Sequence, residues 1–348
     1  MYHRKRVLTL CLCLLSCLVF ISCKESREIK IMQFNVWHEG TVVKGGFEAV
    51  ADEIARADAD FVAISEVRNY HDTRFCDRIV EALKKRGKTY YSFYSQDSGL
   101  ISRYPIKENT TVYPLNNDEG TLYRALVDVD GREIAVYTGH IDYRHCASYL
   151  PRGYDGSTWK KLPAIVTDID VILEYNRASK RDDAIEKFLR IAMDDRAAGR
   201  IVLFGGDFNE PSHRDWTAQT KDLWDHNGTV IPWDCTMMLE RAGFIDAYRE
   251  KYPDPVKSPG FTFPADCAGA DIGKLAWTPD VDDRERIDYI FYAPCEGLSL
   301  KDITLVGPLG TICRGQRVQE KREEEILSPV GVWPTDHKAL LATFRLTR

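Results

Sequence analysis

Five short segments of this chain place a polar or charged side chain in, or directly after, an apolar run of β type, and no other feature constrains the fold as much. They are Met32-Gln33-Phe34-Asn35-Val36-Trp37, Phe61-Val62-Ala63-Ile64-Ser65-Glu66, Thr138-Gly139-His140-Ile141-Asp142, and Ile201-Val202-Leu203-Phe204-Gly205-Gly206-Asp207-Phe208-Asn209. The fifth is a pair, Arg286-Ile287-Asp288-Tyr289-Ile290-Phe291 with Pro334-Thr335-Asp336-His337. Burying such groups is costly unless they are paired or bind a metal. One case alone would read as an ordinary strand end; five call for a shared site.

Each segment offers a particular chemistry. Strand alternation sends Met32, Phe34 and Val36 one way and Gln33, Asn35 and Trp37 the other, which makes Asn35 an oxygen donor near a strand end. Glu66 closes a fully apolar strand and suits a hard cation such as Mg²⁺, which takes a few carboxylates plus water and substrate oxygens. His140 follows a strand over 134–138 into the irregular stretch 143–180, where active-site loops are at home. Gly205 and Gly206 permit a tight turn and close backbone approach. Asp207 and Asn209, two apart, can then face one side and hold a water and a phosphoryl oxygen. Asp288 lies inside a strand, where a charge needs a partner. Asp336 and His337 are adjacent, so both reach one site only from the loop before the last strand. Asp288 would then orient His337 through a ring N–H.

The surrounding pattern is a layered α/β protein, expected as two sheets packed face to face with helices outside. β-type runs fall at 29–37, 61–65, 99–102, 122–129, 134–138, 201–204, 287–292 and 339–346, with helical patterns at 47–56, 74–86, 182–196 and 236–242. Asp130-Gly131 between two of the runs is a hairpin signal. With 348 residues, 44% of them hydrophobic, the core can be large enough to fold without disulfides.

The ordered segments Phe34-Asn35-Val36, Ser65-Glu66-Val67, Leu100–Ile106, Gly139-His140-Ile141-Asp142, Gly205–Asn209, Arg286–Ile290 and Thr335-Asp336-His337 resemble the endonuclease/exonuclease/phosphatase superfamily. The resemblance runs from Ile29 to the end and implies a four-layered α/β sandwich with Mg²⁺- or Mn²⁺-dependent attack on phosphorus. It implies that Asn35 and Glu66 hold the metal with help from Asp336, and that Asp207 and Asn209 orient the attacking water. His140 is then expected to contact the phosphate or leaving group. His337, held by Asp288, serves as base or phosphate stabiliser, and the sequence leaves that choice open.

The first residues point outside the cytoplasm. A basic start, His3-Arg4-Lys5-Arg6, precedes an apolar run from Val7 to Phe20 that is short for a membrane span, which takes ~20 residues. With Ile21-Ser22-Cys23 it is similar to a bacterial lipoprotein signal, with Cys23 as the lipid-modified residue. The expected organisation is a signal over 1–22, a linker over 23–28 and one catalytic domain over 29–348, in a monomeric, periplasmic or surface-exposed, lipid-anchored chain. Loss of 1–22 removes three basic and no acidic residues, taking the net charge from −6 to −9. Nucleic-acid binders usually carry a basic stripe, so a nuclease is possible but not favoured. Cys76, Cys146, Cys235, Cys267, Cys295 and Cys313 show no C-x-x-C spacing, which argues against a zinc site, and leave disulfide pairing open.

Substrate class is less constrained. The inositol-phosphatase branch of the superfamily has a cysteine- and tryptophan-containing signature where this chain reads Asp283-Arg284-Glu285-Arg286-Ile287-Asp288-Tyr289, which disfavours that branch. Tyr143, Arg144, His145, Tyr149, Arg152, Tyr154 and Trp159, with His213 and Trp216, are expected to form a rim that recognises a small phosphorylated molecule. The alternatives are a secreted nuclease, a sphingomyelinase-like phospholipid phosphodiesterase, and a non-catalytic surface binding module.

Overall fold

The central strands of the two sheets are apolar on both faces because the two faces bury into different layers. The computed structural model describes residues 26–320 and 322–347. The first half runs β1 (Ser26–Asn35), α1 (Gly46–Ala57), β2 (Phe61–Val67), α2 (Phe75–Lys85), β3 (Tyr91–Ser92), β4 (Asp97–Ser102), β5 (Ile106–Tyr113), β6 (Gly120–Val129) and β7 (Arg132–Ile141). Next come α3 (Ile169–Arg177), α4 (Arg181–Ala197), β8 (Ile201–Asp207), α5 (Asp234–Arg241), β9 (Ile245–Asp246) and α6 (Ala247–Lys251). The chain closes with β10 (Asp288–Tyr292), β11 (Leu298–Val306), β12 (Gly310–Cys313), β13 (Gln316–Gln319), β14 (Ile326–Leu327) and β15 (Ala339–Thr347).

One sheet has the order β14-β11-β15-β1-β2-β4-β3 and the other β5-β6-β7-β8-β10-β9. Ile201 and Leu203 pack between the sheets with Ile31, Phe61, Leu100, Ile134, Val136 and Ile290. Their neighbours Val202 and Phe204 pack outward with Ala184, Ile185 and Phe188 of α4 and Leu239 of α5. On the other side Met32, Phe34, Val62 and Ile64 meet Val50 and Ile54 of α1 and Ile79 and Leu83 of α2. The result is helices, sheet, sheet, helices: the expected four-layered sandwich.

That alternation also places the site. Continuing along the inward face, Ile31 is followed by Gln33 and Asn35, Val136 by Thr138 and His140, and Leu203 by Gly205 and Asp207. β1 and β2 run parallel, as do β7 and β8, so these polar ends gather at one end of the inter-sheet layer. Apolar side chains fill the other end.

Several boundaries differ from the sequence reading. β1 begins at Ser26 and pairs Ser26 with Thr347, so residues 26–28 are strand and not linker. The signal over 1–22 and Cys23 lie outside the described residues. β7 extends through Ile141 and holds His140 within the strand. The 143–180 stretch contains α3, started by Asp168, whose carboxylate accepts from the amides of Asp170 and Val171. Buried Arg181 then fastens the loop by donating to the carbonyls of Asp142, Arg144 and His145. Gly205 and Gly206 make no turn: both lie in β8, where a Cβ on Gly205 would stand 2.9 Å from Ala63 Cβ of the facing sheet. The Asp130-Gly131 hairpin forms as expected, with both residues at positive φ. All six cysteines in the described residues are unpaired.

Candidate active site

Asn35 is the hub. Its Nδ2 donates to Asp207 Oδ2 (2.8 Å) and Glu66 Oε1 (3.1 Å) and stands 3.4 Å from His337 Nε2, while its Oδ1 accepts from the Trp37 amide. Glu66 reaches inward through a local irregularity: β2 shifts register against β4 between Ser65 and Val67, and Glu66 sits at φ 67. Its Oε2 accepts from the His38 amide at 2.8 Å. The chain beyond β1 is bent sharply, with Trp37, His38 and Glu39 all at positive φ. Strain of this kind in large side chains concentrates at functional sites.

Two aspartate–histidine pairs face the same space. His337 Nδ1 lies 2.8 Å from Asp288 Oδ2, as expected, on the loop before β15. Burial disfavours the charged ring, but Asp288 and Asp207 outweigh it and push His337 up to about 10. His140 Nδ1 lies 3.0 Å from Asp97 Oδ2, and there too burial is outweighed, chiefly by Asp97, to give about 10. Burial and the charge of Asp288 push Asp207 up to about 6, against the two histidines. Asn209, at φ 50, donates its amide to Asp207 Oδ1 and its Nδ2 to the Ile141 carbonyl, both at 2.9 Å.

All eight sequence-identified residues, Asn35, Glu66, His140, Asp207, Asn209, Asp288, Asp336 and His337, therefore belong to one neighbourhood. Six of them line a cavity of about 390 Å³, with Asn35 and Asp288 behind Asp207 and His337. Two polar partners escaped the sequence reading. Asp97 holds His140, and Gln33 Nε2 braces Ser65 Oγ (3.0 Å) and Asp288 Oδ1 (3.3 Å). Gln33 was legible as the inward neighbour of Asn35; Asp97 was hidden because it precedes the apolar part of its strand.

The rim is only partly the expected one. Tyr143, Tyr149 and Trp159 line the cavity. Arg144 is tied to Asp142 (2.8 and 2.9 Å), and buried Arg152 to Glu285 at 2.7 Å. Trp216 is fully buried and stacks on His226, and His213 bonds Thr236 and Glu240. Tyr154 binds Asp280, and the His145 ring packs on Tyr175. In their place the cavity takes Trp37, Phe263, Trp277, Asp283 and Glu285.

The donor chemistry fits a divalent metal. Glu66 and Asp336 offer carboxylate oxygens, the preference of Mg²⁺, and Asn35, which presents Nδ2 while its Oδ1 accepts from the Trp37 amide, would add an oxygen on turning its amide over. Burial pushes Asp336 up to about 7, opposed by His337 and assisted by the Glu66 charge, so two carboxylates share a buried space that a cation relieves. Ligand atoms of Asp207, Asp288 and His337 also lie within 4.8 Å of one another. There, however, Nδ1 of His337 is engaged by Asp288, and Asp207 by Asn35.

A family model described as "Endonuclease/Exonuclease/phosphatase family" matches residues 32–337. An uncharacterized protein of Caenorhabditis elegans is 28% identical over 297 residues, covering 82% of this chain and 85% of that protein. An inositol phosphosphingolipids phospholipase C of Schizosaccharomyces pombe is 24% identical over 322 residues, covering 82% of this chain and 65% of that protein. Among solved structures, truncated C. elegans TDP2 superposes with TM-score 0.51 at 18% identity, covering 91% of this chain and 97% of that one. The catalytic domain of human Nocturnin gives 0.51 at 15%, covering 92% and 97%. These superpositions establish the fold. With the matched model spanning most of the sequence, the chain belongs to the endonuclease/exonuclease/phosphatase family of phosphoesterase hydrolases, whose fold works with divalent metals.

Proposed function

We propose that this chain is a Mg²⁺- or Mn²⁺-dependent phosphoesterase that hydrolyses a phosphate ester of a small extracytoplasmic molecule by in-line attack of water. The observation that carries the reading is the convergence of two aspartate–histidine pairs, Asp97–His140 and Asp288–His337, on the cavity that Asp207 and Asn209 also line. Asn35, Glu66 and Asp336 would hold the metal, which would neutralise phosphoryl charge. Asp207, fixed by Asn35 and by the Asn209 amide, orients water and accepts its proton. His140 and His337, each held protonated by its carboxylate, donate to phosphoryl oxygens as negative charge builds. The water oxygen bonds to phosphorus as its proton passes to Asp207, the ester P–O bond breaks, and the leaving oxygen takes a proton from solvent water. No side-chain nucleophile is needed.

The cellular side of the proposal is a monomer anchored through a lipidated Cys23 in the periplasm or at the cell surface. The likeness to a sphingolipid phospholipase C favours a second reading, hydrolysis of a lipid phosphodiester. A panel of sugar phosphates, nucleotides, DNA and lipid phosphodiesters, assayed with Mg²⁺, Mn²⁺ or chelator, separates the two. Turnover confined to soluble esters supports the first reading, and turnover confined to vesicles the second. Steep salt inhibition with nucleic acid as best substrate would overturn both. Mass analysis of the mature N-terminus tests the anchor: an uncleaved, unmodified Met1 excludes it.

A further inference from the structure

Part of the cavity wall is built of aromatic rings and carboxylates. Tyr149 and Trp159 meet edge to face with centroids 4.8 Å apart, and Trp159 and Trp277 do so at 5.0 Å. Trp159 is held at φ 57, a conformation rare for a large side chain, and all three rings line the cavity. Beside them Asp283 Oδ2 accepts from the hydroxyls of Thr278 (2.8 Å) and Tyr149 (3.3 Å). A carboxylate offers about four acceptor sites, so capacity remains for further hydroxyls.

We infer that this wall binds the alcohol side of the ester and that the alcohol is a neutral, polyhydroxylated ring, a sugar or a cyclitol, stacked on the Trp159–Trp277 platform with its hydroxyls directed at Asp283. The inference rests on the phosphoesterase reading above. Three observations exclude other occupants. A further phosphate is recognised by arginines, yet Arg144 and Arg152 are committed to Asp142 and Glu285, Arg68, the arginine that lines the cavity, bonds His71, and this wall is acidic. A quaternary ammonium is held within a cage of rings set around it, whereas these rings pack edge to face on one another. Asp283 is a poor counter-ion for a further cation, since it accepts from two hydroxyls and the positive charge of Arg152 already acts on it. A polyhydroxylated ring needs none of these: it takes an aromatic face for its C–H side and acceptors for its O–H groups.

The ring could arrive on a soluble ester or as a lipid headgroup, and the test has an arm for each. For soluble esters, kcat/KM is measured for myo-inositol 1-phosphate and glucose 1-phosphate against ethyl phosphate, choline phosphate and a 5′-nucleotide. For lipids, vesicles containing phosphatidylinositol are compared with vesicles of phosphatidylcholine alone. A polyol preference of about tenfold or more in either arm, equivalent to about 1.4 kcal/mol, is expected. In the preferred arm, Trp277→Ala (Trp277 is 42% exposed) and Asp283→Asn should each lower the polyol-to-reference ratio at least severalfold, mainly through KM. Binding of free myo-inositol to the Asp207→Ala chain, followed by saturation-transfer NMR, reads the wall without turnover and should weaken in both variants. A chain that binds myo-inositol but hydrolyses nothing would overturn the phosphoesterase reading and leave this wall assigned. A chain that hydrolyses esters with a ratio near one, or prefers choline phosphate or the nucleotide, would overturn the present inference and leave the chemistry standing.

Discussion

Replacing Asp97 by alanine removes the carboxylate that stands 3.0 Å from His140 Nδ1. In the intact protein burial lowers the His140 pKa, but Asp97, by charge and hydrogen bond, outweighs it with help from Asp207 and Glu66, and the ring titrates at about 10. It is therefore an oriented imidazolium throughout the neutral range. Without Asp97 the burial remains while its main opponent is gone, so the ring loses charge and its fixed orientation together. Removing one positioned donor to a developing anion costs about 2.7–4 kcal/mol, or about 10²–10³ in kcat. Steady-state phosphate release at saturating substrate and metal should show that loss in Asp97→Ala. Asp97→Asn, which keeps an acceptor for the ring N–H, should lose less. The linkage has a definite sign. The stability that His140 gains from protonation is fully present below its ordinary value of 6.5 and disappears as pH rises through about 10. The stability gap between wild type and Asp97→Ala should therefore narrow at alkaline pH. A folded Asp97→Ala protein that loses less than about tenfold in kcat would refute the role given to His140.

Asp195→Ala takes from buried Arg124 its bidentate partner (2.7 and 2.8 Å) and leaves it only the largely exposed Glu108 at 2.9 Å, so chemical denaturation should show a loss of about 3 kcal/mol. Phe188→Ala empties the contact between α4 and the sheet, where Phe188 stacks on Phe204 at 4.5 Å, and should cost about 3–5 kcal/mol in the same assay. Asp283 has its pKa raised from 3.8 to about 6, so the folded state holds its proton more tightly and loses stability as pH rises between those values. Asp283→Asn should remove that slope, and its stability relative to wild type should improve by up to about 3 kcal/mol across the window. A pH-independent difference would contradict this.

Much of the fold and site was legible because strand alternation carries both. Ile201-Val202-Leu203-Phe204 is apolar at every position because its faces meet two different layers, and the inward series ending in Asp207 follows from the same count. β5 was missed because it is an edge strand with an exposed, polar Lys107–Thr111 run, and charge at an edge blocks pairing with other chains. β11 was missed because a bulge between Leu300 and Asp302 breaks its alternation. α3 carried a readable signal, the Asp168 cap before Ile169, Ile172 and Leu173, that the aromatic and glycine content of the preceding loop masked. The rim was least legible. Arg144 and Arg152 look like phosphate ligands in sequence, and only tertiary structure reveals that Asp142 and Glu285 have claimed them.

The central claim is that a metal-assisted attack of water on phosphorus takes place where Asp207, Asn209 and the two aspartate–histidine pairs meet. Its most direct test is phosphate release from the best ester of the panel by wild type and Asp207→Ala, each with Mg²⁺ and with chelator. Asp207 is almost wholly buried and hydrogen-bonded to Asn35 and the Asn209 amide, so the fold of the variant is checked by circular dichroism before its activity is compared. Activity that requires the metal and falls by about 10³ or more in Asp207→Ala is the predicted result. Full activity in the variant, or turnover indifferent to chelator, would contradict it.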